Sequence, residues 1–296
     1  MSSTTTTTSN KDPTQVLTEA THVCYQVLFD RSGSMSSMPG APAALEEFVG
    51  QQREFAVQKN LVTDFTLTTF ETHAKQISNF THIDLKTQTD PIPPHQLSPS
   101  GATRLIDTAL EQINCLRDTL KLENQKATTA PTPLSPPSPP AHWVGIFVLF
   151  TDGMDNQSLH TAGELKREIQ KLTTEGVHCY FLGANQDAIQ TGEGYGFRAD
   201  QSLTYSGDAA NEALGSASQN IMQGLATPVL SGQSSQPGFT PLQREISSGT
   251  PSQPHKKTKI AHQHLGTPYS PPLSSSMAEP SIAPSSPPSQ PSLFKS

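Results

Sequence analysis

The chain has 296 residues, 26 of them proline, and a net charge of −7. No run of residues approaches the roughly 20 apolar positions that cross a bilayer, so we expect a soluble protein without a membrane span. Residues 227–296 hold 13 of the prolines and carry five Lys/Arg against two Asp/Glu. The other 226 residues therefore have a net charge of −10, which argues against nucleic acid binding by the folded part.

Three segments lack a periodic apolar pattern. Residues 1–20 are rich in Ser and Thr, residues 227–296 are rich in Ser and Pro, and "APTPLSPPSPPA" falls within residues 123–141. Such segments bury too little apolar surface to offset the entropy of ordering. We therefore expect disordered termini and one folded domain over residues 21–226, with a disordered Pro-rich insertion at 123–141.

The rest of the chain alternates strand-like and helix-like patterns. Runs of β-branched, aromatic and aliphatic residues predict strands at 22–29, 61–70, 143–150 and 176–183, with an edge strand at 75–80. Apolar residues at spacings of three and four predict helices over 45–55, 103–120, 165–172 and 208–225. This alternation predicts an α/β fold with a doubly wound, mainly parallel central sheet and helices on both faces.

The cysteines and histidines do not suggest a metal centre of their own. Cys24, Cys115 and Cys179 lie far apart in apolar patterns, and we expect reduced, buried thiols. The histidines are scattered, and we expect none to be matched with a Cys or Asp partner. Nothing in this spacing fits a zinc site.

Oxygen-bearing side chains follow two of the predicted strands. In "LFDRSGSMSS" Asp30 ends the first strand and Ser32 and Ser34 follow it, and in "FVLFTDGMDN" Asp152 follows the most apolar strand. Because ligands gather at the carboxyl ends of parallel strands, both carboxylates should face one crevice, which Thr103 of "PSGATRLID" can reach. Carboxylate and hydroxyl oxygens suit an octahedral Mg²⁺.

These fragments resemble the metal-ion-dependent adhesion site of the von Willebrand factor type A (vWA) domain, whose pattern is D-x-S-x-S, then a Thr, then an Asp. The resemblance runs from about residue 22 to residue 225, and "YFLGANQDA" (180–188) is similar to bacterial and intracellular members. It implies a Rossmann-like fold and a bound Mg²⁺ or Mn²⁺. The ligands that it implies are Asp30, Ser32, Ser34, Thr103 and Asp152.

The charge of such a site indicates what it binds. Two carboxylates balance a divalent cation, so an open coordination position would attract a Glu or Asp of a partner protein. We therefore predict a non-catalytic, metal-dependent protein-interaction module. Ser36, Asp155 and Asn156 lie close enough in sequence to support the ligands from behind, with turn capping as the competing interpretation. For Asp107 we expect a solvated or capping role.

Two other functions compete with this interpretation. A phosphatase of the haloacid dehalogenase type also has an Asp after its first strand, but it needs a second carboxylate two residues on, where this chain has Ser32. A scaffold regulated through its tail is suggested by Ser-Pro and Thr-Pro pairs that proline-directed kinases would phosphorylate. We expect a cytoplasmic protein; a nuclear location depends on "HKKTK" (255–259) acting as an import signal.

Overall fold

The computed structural model describes residues 17–18, 20–76, 91–129, 143–227, 229–230 and 236–249. The first 16 residues, most of the Pro-rich insertion and all residues after 249 lie outside this part of the chain. For those segments, disorder, tail phosphorylation and the import signal stay predictions.

A six-stranded sheet forms the centre of the fold. The described residues form eight strands in all, of which β2 to β7 make this sheet: β1 (Leu17–Thr18), β2 (His22–Asp30), β3 (Val62–Phe70), β4 (Ala74–Gln76), β5 (Trp143–Thr151), β6 (His178–Ala184), β7 (Ser202–Tyr205) and β8 (Val229–Leu230). The order in the sheet is β4-β3-β2-β5-β6-β7, and only β4, at one edge, is antiparallel to its neighbour. β1 and β8 pair with each other as a separate antiparallel ribbon. The predicted, mainly parallel α/β fold is confirmed.

Helices cover both faces of this sheet, as the prediction of a doubly wound fold requires. They are α1 (Ala41–Gln58), α2 (Leu105–Thr129), α3 (Ala162–Thr174), α4 (Ala188–Tyr195), α5 (Ala210–Ala226) and α6 (Pro241–Ser247). Along β2, Val23, Tyr25 and Val27 pack into one core with α1 and α5, whereas Cys24 and Leu28 pack into the other with α2, α3 and α4. Because successive side chains of a strand point to opposite faces, a strand covered on both faces is mainly apolar.

The strand order fixes where a ligand can bind. From β2 the chain goes to β3 on one side and returns to β5 on the other, so the order reverses between β2 and β5. The crevice outside the carboxyl ends of such a strand pair is the usual ligand site of open α/β sheets. In the register of this pair, Phe29 lies opposite Phe150, so the residues just after them end at the same edge.

Two predicted boundaries of the folded domain are wrong. The helix α2 continues to Thr129, beyond the predicted start of the insertion at residue 123, because "ENQKA" consists mostly of good helix formers. Residues 236–249, predicted to be disordered, are folded against the domain. Phe239 is buried against Tyr180, and Arg244 donates hydrogen bonds to two backbone carbonyls near β7.

One of the three cysteines differs from its prediction. Cys24 and Cys179 are buried free thiols, as predicted, but Cys115 is exposed. Around it on α2, Ile113 and Leu116 face the core and are buried, whereas Cys115 lies on the outer face. Among the described residues, no helix has the length and apolar character needed to cross a membrane.

Candidate metal centre

Asp30 is the most buried carboxylate of the site. It ends β2 with its side chain 0% exposed, and its two oxygens have separate donors. The Ser32 backbone N–H donates to Oδ1 over 2.8 Å, and the Thr151 hydroxyl donates to Oδ2 over 2.6 Å. These two hydrogen bonds fix the orientation of the carboxylate between the ends of β2 and β5.

A chain of oxygen atoms links the loop after β2 to the loop after β5. The hydroxyl oxygens of Ser32 and Ser34 lie 3.0 Å apart, and the Ser34 hydroxyl donates to Oδ1 of Asp152 over 2.8 Å. A 3-10 helix over Gly33–Ser37 curls the first loop so that these alternating serines face the second. The structure thus brings four of the five predicted ligands together.

Thr103 reaches the same place from a third segment. Its loop is joined to the loop after β2 by a hydrogen bond from the Gly33 N–H to the Gly101 carbonyl, 3.0 Å long. Gly101 has φ of +70°, a conformation that favours glycine. A Cβ on Gly153 would lie 3.6 Å from both the Ser34 Oγ and the Thr103 Oγ1. The two hydroxyls therefore border one small space that the absence of a side chain on Gly153 keeps open.

The three residues predicted to support the ligands have different surroundings. Asn156 forms two hydrogen bonds with Thr103. Its Oδ1 accepts from the Thr103 N–H over 2.9 Å, and its backbone N–H donates to the Thr103 carbonyl over 3.0 Å. Asp155 accepts from the Ile106 N–H over 3.1 Å, in the first turn of α2, which is a capping contact. Ser36 is exposed in the wall of an apolar pocket.

Burial affects the titration of both carboxylates. It raises the pKa of Asp30 to about 6, against the lowering effect of hydrogen bonds from Thr151 and Ser32, and the charge of Asp152 raises it further. Burial also raises the pKa of Asp152, partly offset by the Ser34 hydrogen bond. Two adjacent carboxylates, both partly or fully removed from water, are costly in their charged forms unless a cation compensates them.

The donors present fit a hard divalent cation. Two carboxylates and three hydroxyls supply only oxygen ligands, the chemistry that Mg²⁺ and Mn²⁺ prefer. Among the described residues, no three His, Cys, Asp or Glu side chains gather into a metal-binding group, so hydroxyls and water would complete the coordination of an ion here. The small space beside Gly153 is a cradle that a larger side chain would fill.

A second buried carboxylate, Asp107, holds the loop after β5 in place. It is 2% exposed and accepts from the backbone N–H groups of Leu159 and His160, from the His160 ring, and from Arg104 over 2.9 Å. Burial favours the neutral form, but these hydrogen bonds together hold the pKa of Asp107 well below its usual range. The predicted solvated alternative for Asp107 is wrong, as is the prediction that no histidine has an Asp partner.

Sequence reasoning did not identify Thr151 or the pairing of Asp107 with His160. Thr151 lies directly before Asp152, and a hydroxyl at the end of an apolar strand was the available signal. The pairing of Asp107 with His160 joins residues 53 positions apart, and neither residue lies in a motif that marks it. Both features position the predicted ligands or the loop that bears them.

Comparisons with known proteins give no match among protein-family models and none among curated proteins. Solved structures do match. One is described as von Willebrand factor type A from Catenulispora acidiphila, with 16% identity and a TM-score of 0.43 over 69% of this chain and 43% of that chain. This chain therefore spans less than half the length of that protein.

Two further solved structures are similar at comparable levels. The vWF domain of the type V pili tip protein Mfa5 from Porphyromonas gingivalis has 13% identity and a TM-score of 0.43, over 73% of this chain and 99% of that one. The manganese-loaded TRAP protein of Plasmodium vivax has 15% identity and a TM-score of 0.34, over 57% and 58%. At these levels of similarity, the assignment of the site depends on the residues of this chain.

Proposed function

We propose that this chain is a vWA-type domain that binds Mg²⁺, or Mn²⁺, and uses the ion to hold a partner protein through a Glu or Asp side chain. The residues proposed to hold the ion are Asp30, Ser32, Ser34, Thr103 and Asp152. When bound, the ion supplies a positive charge with a coordination position open to a carboxylate. The chain's own residues orient the oxygens and exclude water from Asp30.

One observation carries this proposal. The Asp30 end of β2, the hydroxyls of Ser32 and Ser34, and Asp152 form a continuous run of oxygens where the strand order reverses. Within the part of the chain that the structure describes, the buried carboxylate of Asp30 accepts hydrogen bonds from a hydroxyl and an N–H but from no cationic side chain. An external cation is the simplest source of the missing charge.

A catalytic role has less support from the same residues. Phosphoryl transfer of the dehalogenase type needs an acid two residues after the nucleophile, and Ser32 occupies that position with a hydroxyl 3.0 Å from Ser34. Asp30 is also fully buried, which limits its access to a phosphate ester. We propose that the domain is not an enzyme.

Thermal unfolding in Mg²⁺ and in EDTA tests the proposal. A ligand that binds only the folded state stabilises it by about 2.7 kcal/mol at a concentration about 100 times Kd, so Mg²⁺ should raise the Tm of the wild type. Asp152→Ala should abolish this rise, whereas Asp208→Ala, in the turn before α5, should keep it. An equal rise in all three proteins would contradict the proposal.

Turnover assays distinguish the enzymatic alternative. We expect no hydrolysis of a generic phosphate ester such as p-nitrophenyl phosphate in Mg²⁺. Hydrolysis by the wild type that Asp30→Asn removes would favour the phosphatase over the binding module.

A further inference from the structure

An apolar pocket of about 360 Å³ is lined in part by residues that are sequence neighbours of the proposed metal ligands. Two of its lining residues are sequence neighbours of proposed ligands: Phe29 directly precedes Asp30, and Met35 directly follows Ser34. Since one residue of chain spans at most about 3.6 Å, a group bound at Ser34 lies within one or two side-chain lengths of the pocket wall.

The two walls of this pocket come from the loops that carry the proposed ligands. One wall comes from Phe29 and from residues 35–42, on either side of the loop that carries Ser32 and Ser34, and the other comes from residues 94–99, which lead to Thr103. Two backbone hydrogen bonds join these loops, from the Ser100 N–H to the Arg31 carbonyl and from the Gly33 N–H to the Gly101 carbonyl. The pocket and the proposed metal ligands are therefore built on the same two loops, which these hydrogen bonds hold together.

The chemistry of the lining selects an apolar occupant. None of the described residues that line it is charged, and four prolines contribute to its walls. Proline has no backbone N–H to donate and a fixed φ, so these walls offer few hydrogen bonds and lose little entropy when a ligand binds. The sulfur-bearing side chains of Met35 and Met38 add a surface that adapts to the shape of the group it contacts.

The charges around the site favour a single acidic group on the partner. Arg31 donates to Glu71 over 2.7 Å, and Arg104 is paired with Asp107 over 2.9 Å. Both arginines near the ligand loops are therefore engaged within the chain. Next to Asp152, Met154 is 68% exposed, so apolar surface flanks the site on that side too.

We propose that the partner segment carries, within about three residues of the acidic side chain that meets the metal, a bulky apolar side chain such as Leu that fills this pocket. This inference rests on the proposed function and specifies its partner. Burying one such side chain should tighten binding about tenfold or more. An acidic segment flanked only by small polar residues should bind correspondingly more weakly.

Fluorescence anisotropy with synthetic peptides tests this inference. The probes are labelled seven-residue Gly/Ser peptides with one central Glu, each with Leu at one of the three positions on either side, together with the Leu-free parent and a Glu→Gln control. In Mg²⁺ we expect at least one Leu peptide to bind about tenfold more tightly than the parent. The Glu→Gln peptide should not bind, and EDTA should release the others.

Two tryptophan variants locate the effect. Ser98→Trp places a large ring at an exposed position of the pocket wall, and His95→Trp places one at an exposed position of the same loop that does not line the pocket. Ser98→Trp should remove the Leu advantage and leave the parent's affinity unchanged, and His95→Trp should change neither. Equal Mg²⁺ responses of their Tm values would show that both variants keep the site.

The contrary outcomes separate the two levels of the proposal. Metal-dependent binding of the parent without any gain from Leu, or a gain that survives Ser98→Trp, would overturn the pocket inference and leave the proposed function in place. Leu-dependent binding that persists in EDTA or with the Gln peptide would overturn both, because the acidic group would then have no role. Absence of Mg²⁺-dependent binding by every peptide would also overturn both.

Discussion

Asp30 and Asp107 are both almost completely buried, at 0% and 2% exposure, but their surroundings differ. Asp107 accepts hydrogen bonds from Arg104, from the His160 ring and from two backbone N–H groups, and its pKa is held well below the usual range. Asp30 has one N–H and one hydroxyl donor, and burial raises its pKa to about 6.

This difference separates a structural carboxylate from a candidate binding carboxylate. The fold compensates the charge of Asp107 with its own donors, so Asp107 can serve to hold the loop that bears Asp152. The fold leaves the charge of Asp30 largely uncompensated and places Asp152 nearby. A buried carboxylate that lacks internal compensation marks a place where an external cation would stabilise the protein.

The largest expected effect is the loss of stability caused by replacing Asp107. Asp107→Asn removes a charged acceptor that serves several donors at once, and hydrogen bonds to charged groups are strong. We expect the free energy of unfolding to fall by about 3 kcal/mol, equally in Mg²⁺ and in EDTA, when measured by urea denaturation. Asp118→Asn, an exposed position on the same helix, is the matched control and should change stability by less than about 0.5 kcal/mol.

The pH dependence of that loss follows from the lowered pKa of Asp107. In the unfolded chain this group titrates near its ordinary value of 3.8, and in the folded protein it titrates lower. The stability it contributes is therefore fully present above about pH 5 and declines as pH falls through 3.8 towards the folded pKa. The gap between wild type and Asp107→Asn should be constant from pH 7 to 5 and narrow below pH 4. A gap that widens on acidification would refute this assignment.

In contrast to Asp107→Asn, Asp30→Asn should not destabilise the metal-free protein but should remove its stabilisation by Mg²⁺. In EDTA it removes an uncompensated buried charge, so the free energy of unfolding at pH 7 should stay level or rise by about 1 kcal/mol. The stabilisation by saturating Mg²⁺, about 2.7 kcal/mol at about 100 times Kd in the wild type, should be absent. Differential scanning fluorimetry in the two buffers measures both effects. A loss of several kcal/mol in EDTA would place Asp30 in the same structural class as Asp107.

The smallest expected effect distinguishes neighbouring serines. Ser34 contacts Asp152, so Ser34→Ala should weaken Mg²⁺ binding about tenfold, which corresponds to about 1.4 kcal/mol, with little change of stability in EDTA. Ser36, two residues on and in the pocket wall, should tolerate Ser36→Ala without change in Mg²⁺ affinity. Equal losses in both variants would assign Ser36 to the metal site.

Much of the fold could be predicted because its pattern is local. The apolar run of β5 and the helical spacing of α2 identify these elements without their neighbours. Short elements such as β7, with four residues, and α6, with seven, have too few positions to show a period. The folding of α6 against the domain depends on Phe239 and Arg244, whose contacts lie far away in sequence.

The site was predictable to the extent that its ligands fall into a spaced motif. Asp30, Ser32 and Ser34 occupy every second position of one short segment, and the apolar runs in the sequence predict the strand ends that carry the two carboxylates. The partners of Thr151 and His160 could not be assigned from the sequence, because only the folded topology brings each partner near. Positioning contacts of this kind follow from three-dimensional packing and not from spacing.

Isothermal titration calorimetry with Mg²⁺ and Mn²⁺ tests the central claim most directly. The wild type and the structurally weakened Asp107→Asn, studied below its unfolding temperature, should each bind one divalent ion, whereas Asp30→Asn and Asp152→Asn should bind none. Absence of binding by the wild type, or one ion bound with equal affinity by all four proteins, would contradict the claim that these oxygens form a metal site.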